Sequence, residues 1–143
     1  MLFRSDLDDL LLREAGVRRE HGVQVDTTGV SAAQVMGDAG QLGRAVRNLV
    51  DNAAGHAAAV VTLSLEEQDG HAVLTVADDG PGIPGQEHER VFERFAQLHP
   101  ARSSGGAGLG LAITREIVER HGGTVRIDPD HRQGTRLVVR LPH

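Results

Sequence analysis

The chain has 143 residues, the size of one ordinary domain, and a net charge of −5 that disfavours nucleic acid as a partner. Cysteine and lysine are absent, which excludes disulfides, thiol catalysis, the lysine-dependent P-loop and Schiff-base chemistry. No apolar run approaches the roughly 20 residues that a membrane helix needs, and the acidic start MLFRSDLDDL predicts no signal peptide.

The first half of the chain predicts two helices separated by short strands. Apolar residues recur at helical spacing from Asp8 to Glu20, and again from about Ala39 to Ala54. Asp38 is the expected N-cap of the second helix, and Gly55 is expected to end it. The short extended segments are Val23–Val25 and Val35–Met36.

The second half predicts two hairpins, with a long loop and a helix between them. Gln68-Asp69-Gly70 is a hairpin turn signal. The segment 79–106 is mostly Gly, Pro, Ser and charged residues apart from one helical turn around Val91-Phe92, and so long a loop is usually functional. The regular segments are the strands 59–66, 72–77, 124–128 and 135–141 and the helix 108–121.

This order of elements predicts the fold class. Helices and strands of these lengths, with strands grouped in hairpins, favour a two-layer α/β sandwich in which helices pack on one face of a mixed β-sheet. We find no internal repeat and no low-complexity tract. Residues 1–143 are therefore interpreted as a single domain.

A carboxylate pair opens the long loop. Asp78-Asp79-Gly80-Pro81-Gly82-Ile83 follows directly on a predicted buried strand. A carboxylate at a strand end, with glycines beside it, can accept a hydrogen bond from a flat ligand close to the backbone. The alternative is an ordinary turn with Asp as the turn former, and this segment alone leaves both open.

A glycine-rich helix start closes the same loop. Gly105-Gly106-Ala107-Gly108-Leu109-Gly110-Leu111 runs straight into the predicted helix. Exposed N–H groups and the helix dipole form an anion site at such a terminus. A dinucleotide fingerprint is the rival interpretation, but the loop before it and the glycine spacing do not fit that pattern.

Two asparagines lie on the helix before the first hairpin. Asn48 and Asn52 are the only asparagines in the chain, and their spacing places both amides on one helix face. An amide oxygen suits magnesium that keeps waters and phosphates as its other ligands. A solvated polar face is the alternative.

Taken together, these motifs resemble a known family. The asparagine pair, Asp78-x-Gly80-x-Gly82, Phe92-Glu93-Arg94-Phe95 and Gly106-x-Gly108-Leu109-Gly110-Leu111 occur in this order. They resemble the catalytic ATP-binding domain of histidine kinases, in the superfamily shared with type II topoisomerases, mismatch-repair ATPases and the ninety-kilodalton chaperone. The resemblance covers residues 6–142 and implies the histidine kinase-like ATPase fold.

The resemblance also implies roles. Asn52 would coordinate magnesium, Asn48 would support the phosphate side, and Asp78 would accept the adenine amino group. The segment 84–106 would form a lid over ATP, anchored by Phe92 and Phe95, and Arg94 joins the two asparagines as a catalytic residue. The implied nucleotide-binding positions are Asn48, Asn52, His56, Asp78, Gly80, Gly82, Ile83, Phe95, Gly106, Ala107, Gly108, Leu109, Gly110, Leu111 and Thr135.

Asn48 separates kinases from hydrolases within the superfamily. The ATP-hydrolysing members resemble one another in placing a Glu one helical turn before the magnesium Asn, and an amide at that position cannot take a proton from water. The resemblance therefore implies that the chain binds Mg-ATP and donates its γ-phosphate to a histidine on a separate dimerisation and phosphoacceptor domain of the same kinase. A response regulator would be an indirect partner.

The implied context is a cytoplasmic domain of a membrane-anchored kinase, itself monomeric and without direct membrane contact. Two alternatives stay open. Gly55 and Gln97 stand where relatives usually carry cations, leaving Arg94 and Arg102 as substitutes, and anti-sigma-type serine kinases share the implied fold. One is a nucleotide-binding module with weak or no phosphotransfer, and the other is an anti-sigma-type serine kinase.

The eight histidines receive separate expectations. His56 is expected either near the phosphates or packed at a helix end. His88 precedes an acidic residue but lies in the loop, so it is not the expected phosphoacceptor. The remaining six are expected to be solvated, namely His21, His71, His99, His121, His131 and His143.

Overall fold

The computed structural model describes residues 3–93, 107–131 and 133–142. Three α-helices, seven strands and two 3₁₀ turns, Gly85–Glu87 and Arg90–Phe92, lie in these ranges. The helices and strands are β1 Phe3–Asp6, α1 Leu7–Glu20, β2 Gln24–Val30, β3 Gln34–Gly37, α2 Ala39–His56, β4 Val60–Gln68, β5 His71–Asp78, α3 Ala107–Arg120, β6 Thr124–Ile127 and β7 Arg136–Pro142.

The main sheet has five strands in the order β2-β4-β5-β7-β6. Its β2–β4 pair is parallel and its other pairs are antiparallel, so the sheet is mixed as predicted. Strand β5 is central, because it is hydrogen-bonded to β4 along one edge and to β7 along the other. Strands β1 and β3 form a separate antiparallel pair.

The core lies between the main sheet and the helices. Alternate residues of β4, such as Leu63 and Leu65, are fully buried, while six residues of α2 are buried on one face. The helices pack on one side of the sheet, which confirms the predicted two-layer sandwich. The aliphatic core includes Leu7, Leu11, Val35, Leu42, Val46, Leu49, Val50, Val61, Leu63, Leu65, Leu74, Val118, Leu137 and Val139.

Local signals account well for the start of α2 and for the first hairpin. The Asp38 side chain accepts a hydrogen bond from the Gln41 amide at 3.0 Å, which confirms the predicted N-cap. Asp69 and Gly70 both have positive φ, 53° and 77°, the conformation of a tight primed turn between β4 and β5. In both places, residues that are close in sequence determine the backbone conformation.

The predicted end of α2 at Gly55 is wrong. The helix continues to His56 and stops where Ala57 becomes extended, with the Ala57 amide bonded to the Ala53 carbonyl at 2.9 Å. A glycine ends a helix when it adopts positive φ, and Gly55 is not among the residues with positive φ. It therefore serves as an exposed helical residue.

The expectation that His121 is solvated is also wrong. Its half-buried ring donates from Nδ1 to the Ile117 carbonyl at 2.8 Å, and its Nε2 accepts the Asp38 amide at 3.2 Å. A Cβ on Gly37 would lie 2.6 Å from this ring. His121 therefore fastens the end of α3 to the start of α2.

No helix in the described ranges is both long enough and apolar enough to cross a bilayer.

Candidate functional site

Asp78 lies at the end of the central strand β5 and is only 5% exposed. Its Oδ1 accepts the Gly80 amide at 2.8 Å. Burial raises the pKa of the Asp78 carboxyl, against the opposing effects of the Gly80 and Thr135 amides and of His56. The residue is thus a buried carboxylate at a strand end, as the sequence predicted, and the surroundings make its charge costly.

Backbone segments approach Asp78 very closely on two sides. A Cβ on Gly80 would lie 1.9 Å from the His56 carbonyl oxygen at the end of α2, and a Cβ on Gly134 would lie 2.0 Å from the Asp78 carbonyl oxygen. Gly82 and Gly134 also have positive φ, 82° and 77°. Gly80, which sequence reasoning assigned to ligand approach, and Gly134, which it did not, are therefore already required by the packing of the protein's own backbone.

Thr135 completes this side of the site. It is 6% exposed, and its carbonyl accepts the Asp78 amide at 2.9 Å. The turn before β7 therefore lies directly beside the carboxylate. Ile83 is half-buried and packs against the hydrophobic core just beyond Gly82.

Asp79 has a structural function that sequence reasoning missed. Its carboxylate accepts the backbone amides of Ala58, Ala59 and Val60 at 2.8, 2.9 and 3.2 Å. These bonds, with that from Ala59 contributing most, lower the pKa of the Asp79 carboxyl. Asp79 thereby fixes the connection between α2 and β4. The only sequence feature that could have indicated this function is its location next to Asp78 in the motif.

The asparagine face of α2 meets the beginning of α3. Asn48 Nδ2 donates to the Gly110 carbonyl at 3.3 Å. One turn later, the Asn52 carbonyl accepts His56 Nδ1 at 2.7 Å, which fixes the His56 ring at the helix end. Asn48, Asn52 and His56 are all half-buried; Asn48 contacts α3, and the His56 carbonyl lies against Gly80 beside Asp78.

The helix α3 begins at Ala107, as the glycine-rich motif predicted to within one residue. Ala107, Gly108 and Leu109 form its first turn, and Leu111 is buried in the core at 7% exposure. Three predicted site residues, Arg94, Phe95 and Gly106, lie outside the described residues.

The segment that precedes residue 94 is tied to α3. Phe92 is 6% exposed, and the Arg115 guanidinium carbon lies 4.9 Å from its ring centroid. Arg115 also forms an ion pair with Glu89 at 2.9 Å. His88 donates from Nε2 to the Ile83 carbonyl at 2.9 Å, so its ring is bound within the loop.

A magnesium ion fits the donor set only in part. The described residues contain no group of three or more His, Asp or Glu side chains that could hold a metal ion. The half-buried amide of Asn52 is an oxygen donor of the kind that magnesium accepts alongside phosphate oxygens. A bound nucleotide would have to supply further ligands.

Comparison with known proteins places these features in a family. Residues 37–143 match the family described as histidine kinase-, DNA gyrase B-, and HSP90-like ATPase. The histidine-protein kinase/phosphatase MprB of Mycolicibacterium vanbaalenii is 50% identical over 121 residues, covering 82% of this chain and 25% of the relative. MprB of Mycobacterium leprae is 40% identical over 146 residues, covering 96% and 28%. The chain thus spans about a quarter of the length of these relatives.

Solved structures agree with the fold. A mycobacterial sensor histidine kinase MprB has a TM-score of 0.86 at 39% identity, covering 99% of this chain and 97% of that chain. The ATP-binding domain of PrrB from Mycobacterium tuberculosis has a TM-score of 0.81 at 30% identity, covering 99% and 96%. Full-length ShkA in complex with AMPPNP has a TM-score of 0.83 at 29% identity, covering 99% and 31%.

The Asp79 contacts predict a pH-dependent contribution to stability. Because its folded-state pKa lies below the ordinary value of 3.8, the stabilisation is fully present above that value and is lost as the pH falls through the folded-state pKa. We expect Asp79→Ala to lower the melting temperature at pH 7, with the deficit shrinking below about pH 4. Thermal unfolding followed by circular dichroism between pH 2 and pH 8 measures this difference in melting temperature. Circular dichroism is used because the chain lacks Trp and Tyr as fluorescent probes.

The matched control is Asp79→Asn, which keeps one acceptor oxygen without the charge. It should have an intermediate melting temperature, and its difference from Asp79→Ala should not change with pH. A deficit of Asp79→Ala that stays constant down to pH 2 would contradict the assigned contacts.

Proposed function

The chain belongs to the histidine kinase-, DNA gyrase B- and HSP90-like ATPase family as an ATP-binding domain of the sensor histidine kinase type, and from this premise we propose that it binds Mg-ATP and donates the γ-phosphate to a histidine on a separate domain. The observation that supports it most is that Asn48, whose amide donates to the Gly110 carbonyl, stands where the resemblance places the base of a hydrolase.

The adenine end of the ligand is assigned to Asp78. Its Oδ1 is already bonded to the Gly80 amide, and a carboxylate has further acceptor sites for an exocyclic amino group. Gly80 and Thr135 contact that carboxylate, and together with Gly82 and Ile83 they would border the base. Burial of the carboxylate supports this assignment, because a hydrogen bond to a charged group is stronger away from water.

The phosphate end is assigned to α2 and to the start of α3. Asn52 would coordinate magnesium, with Asn48 and His56 beside it on the same helix. Magnesium, when bound, neutralises charge on the phosphoryl group that is transferred. The backbone amides at the start of α3 would hold the phosphates, through Gly106, Ala107, Gly108, Leu109, Gly110 and Leu111.

The segment 84–106 is assigned as a lid over the nucleotide, within a single domain that spans residues 1–143. The Arg115 contacts with Phe92 and Glu89 support this, because they attach the beginning of the segment to the helix assigned to the phosphates. Arg94 would stabilise the transferred phosphoryl group, and Phe95 would anchor the lid.

The partners follow from the proposed reaction. The acceptor would be the phosphoacceptor histidine domain of the same kinase, with a response regulator as the next recipient. His88 is not the acceptor in this proposal, because its ring is bound to the Ile83 carbonyl within the loop. We propose a monomeric domain in the cytoplasm, where ATP is available, with no membrane contact of its own within a membrane-anchored parent.

The role of Asp78 predicts a separation of binding from stability. Asp78→Asn replaces an acceptor oxygen by an amide donor that opposes the adenine amino group, so ATP affinity should fall roughly 10- to 100-fold. Because burial raises the pKa of the carboxyl, removing its charge should leave the melting temperature at pH 7 unchanged or higher. Calorimetric titration and thermal melts measure the two effects.

Asp69→Asn is the control for this substitution, since it removes the same charge at an exposed turn position that Asn tolerates. It should bind ATP like the unchanged chain. Equal ATP affinity of Asp78→Asn and Asp69→Asn would overturn the adenine assignment.

The role of Asn52 predicts a loss of magnesium dependence. The unchanged chain should bind ATP more tightly with magnesium than with a chelator, while Asn52→Ala should bind with the same weaker affinity in both conditions. Arg47→Ala, at an exposed position on the same helix, should retain the magnesium effect. Isothermal titration calorimetry measures the ATP affinity of each protein with and without magnesium. If magnesium tightens ATP binding by Asn52→Ala as much as by the unchanged chain, Asn52 is not a magnesium ligand.

Phosphotransfer itself is tested by mixing the chain with the phosphoacceptor domain of a related sensor kinase and γ-labelled ATP. We expect label on the acceptor that is lost in acid and retained in base, as for a phosphorylated histidine. Acid-stable label would indicate the serine-kinase alternative. ATP binding without any label would indicate a nucleotide-binding module, which the absent cations at Gly55 and Gln97 favour.

A further inference from the structure

The connection between α2 and β4 consists of three alanines, Ala57-Ala58-Ala59. Alanine has the highest helix propensity of all residues, so an alanine run directly after a helix favours continuation of that helix. The helix nevertheless stops at His56, and Ala57 adopts an extended conformation with φ −65° and ψ 140°. Local sequence therefore does not explain where α2 ends.

Burial does not explain the end of α2 either. Ala58 and Ala59 are exposed, so packing against the core does not hold them. Their amides and the amide of Val60 donate to the Asp79 carboxylate at 2.8, 2.9 and 3.2 Å. In a continued helix, these amides would instead donate to carbonyls four residues earlier in the chain. The carboxylate therefore competes directly with continuation of the helix.

The last turn of α2 is attached to the motif that contains Asp78. The His56 carbonyl oxygen lies against Gly80, where an added Cβ would be 1.9 Å away from it. The His56 ring in turn donates from Nδ1 to the Asn52 carbonyl at 2.7 Å. Because Asp79 directly follows Asp78, the residue whose carboxylate holds the connection lies beside the carboxylate assigned to adenine.

The conformation of the three alanines determines the distance between α2 and β4. An extended residue advances the chain by about 3.3 Å, whereas a helical residue advances it by about 1.5 Å. Conversion of the three alanines to helix would therefore shorten the connection by roughly 5 Å. Strand β4 is held in the sheet, where Val61 pairs with Asp78, so the end of α2 would have to move.

We propose that Asp79 is a positioning residue that ends α2 and thereby sets the separation between Asn52 and Asp78. These two residues are assigned to magnesium and to adenine, so their separation must match the length of the nucleotide. The inference rests on the proposed function for its ligand, whereas the ending of α2 by Asp79 is testable without a ligand. Asp79 itself does not contact the nucleotide in this proposal.

The experiment removes the carboxylate with Asp79→Ala and then restores the helix end by another route with Ala58→Pro. Proline cannot continue a helix, and the residue before it favours an extended conformation, which Ala57 already has. NMR chemical shifts of the Cα atoms report the conformation of Ala57 and Ala59 without a ligand. These shifts should move towards helical values in Asp79→Ala and should return in the double variant.

Calorimetry of Mg-ATP binding and NMR titration of adenosine measure the consequence for the site. Mg-ATP reaches both ends of the site, so Asp79→Ala should bind it about 3- to 10-fold more weakly, the range that a hydrogen-bonded contact controls. Adenosine occupies only the adenine end, so its affinity should be unchanged. The double variant should regain most of the Mg-ATP affinity, and Ala58→Pro alone, as the control, should bind both ligands like the unchanged chain.

Four outcomes would overturn the proposal: unchanged Cα shifts in Asp79→Ala, unchanged Mg-ATP affinity, equal losses of Mg-ATP and adenosine affinity, or a double variant that regains the extended alanines without regaining Mg-ATP affinity. If Asp79→Ala does not fold, Asp79→Asn gives the same comparison, because it loses the charge and keeps one acceptor oxygen. Failure of the unchanged chain to bind Mg-ATP would overturn the proposed function, while the chemical shifts would still decide whether Asp79 ends α2.

Discussion

The close approach of backbone to backbone around the end of β5 is the constraint on which the site depends. Gly80 brings the loop after β5 against the His56 carbonyl, and Gly134 brings the turn before β7 against the Asp78 carbonyl. No side chain larger than hydrogen fits at either position without displacing backbone. This closure leaves Asp78 almost fully buried while its own loop and the neighbouring turn supply amides to it. A carboxylate held in this way loses hydration but is oriented before any ligand arrives.

Much of the fold could be predicted from local patterns. The cap at Asp38, the turn at Asp69-Gly70 and the amphipathic faces of α1 and α2 depend on neighbours in sequence, and the structure confirms them. Strand β1 could not be predicted, because its polar residues become a strand only by pairing with β3, some 30 residues away. The His121 contact with the Asp38 amide joins residues that are 83 positions apart.

The site also combines residues that local sequence predicts with residues whose importance depends on distant contacts. The motifs around Asp78 and at the start of α3 were visible because glycine and carboxylate types at fixed spacing indicate particular backbone conformations. Gly134 was not assigned to the site because its significance comes from the Asp78 carbonyl, which another segment of the chain supplies. Gly80 also has a structural requirement that the motif did not indicate, since the end of α2 requires a glycine there before any base is bound. The structural roles of these residues depend on tertiary contacts and cannot be read from the motifs alone.

The central location of β5 has a consequence for local unfolding. A strand bonded on both edges opens only when much of the sheet opens, so the amide hydrogens near Asp78 belong to the slowest-exchanging class. The start of α3 is joined to α2 by the hydrogen bond from the Asn48 amide to the Gly110 carbonyl. A ligand that bridged both places would therefore have one end at a strand that opens only with the sheet and the other end at a contact between two helices.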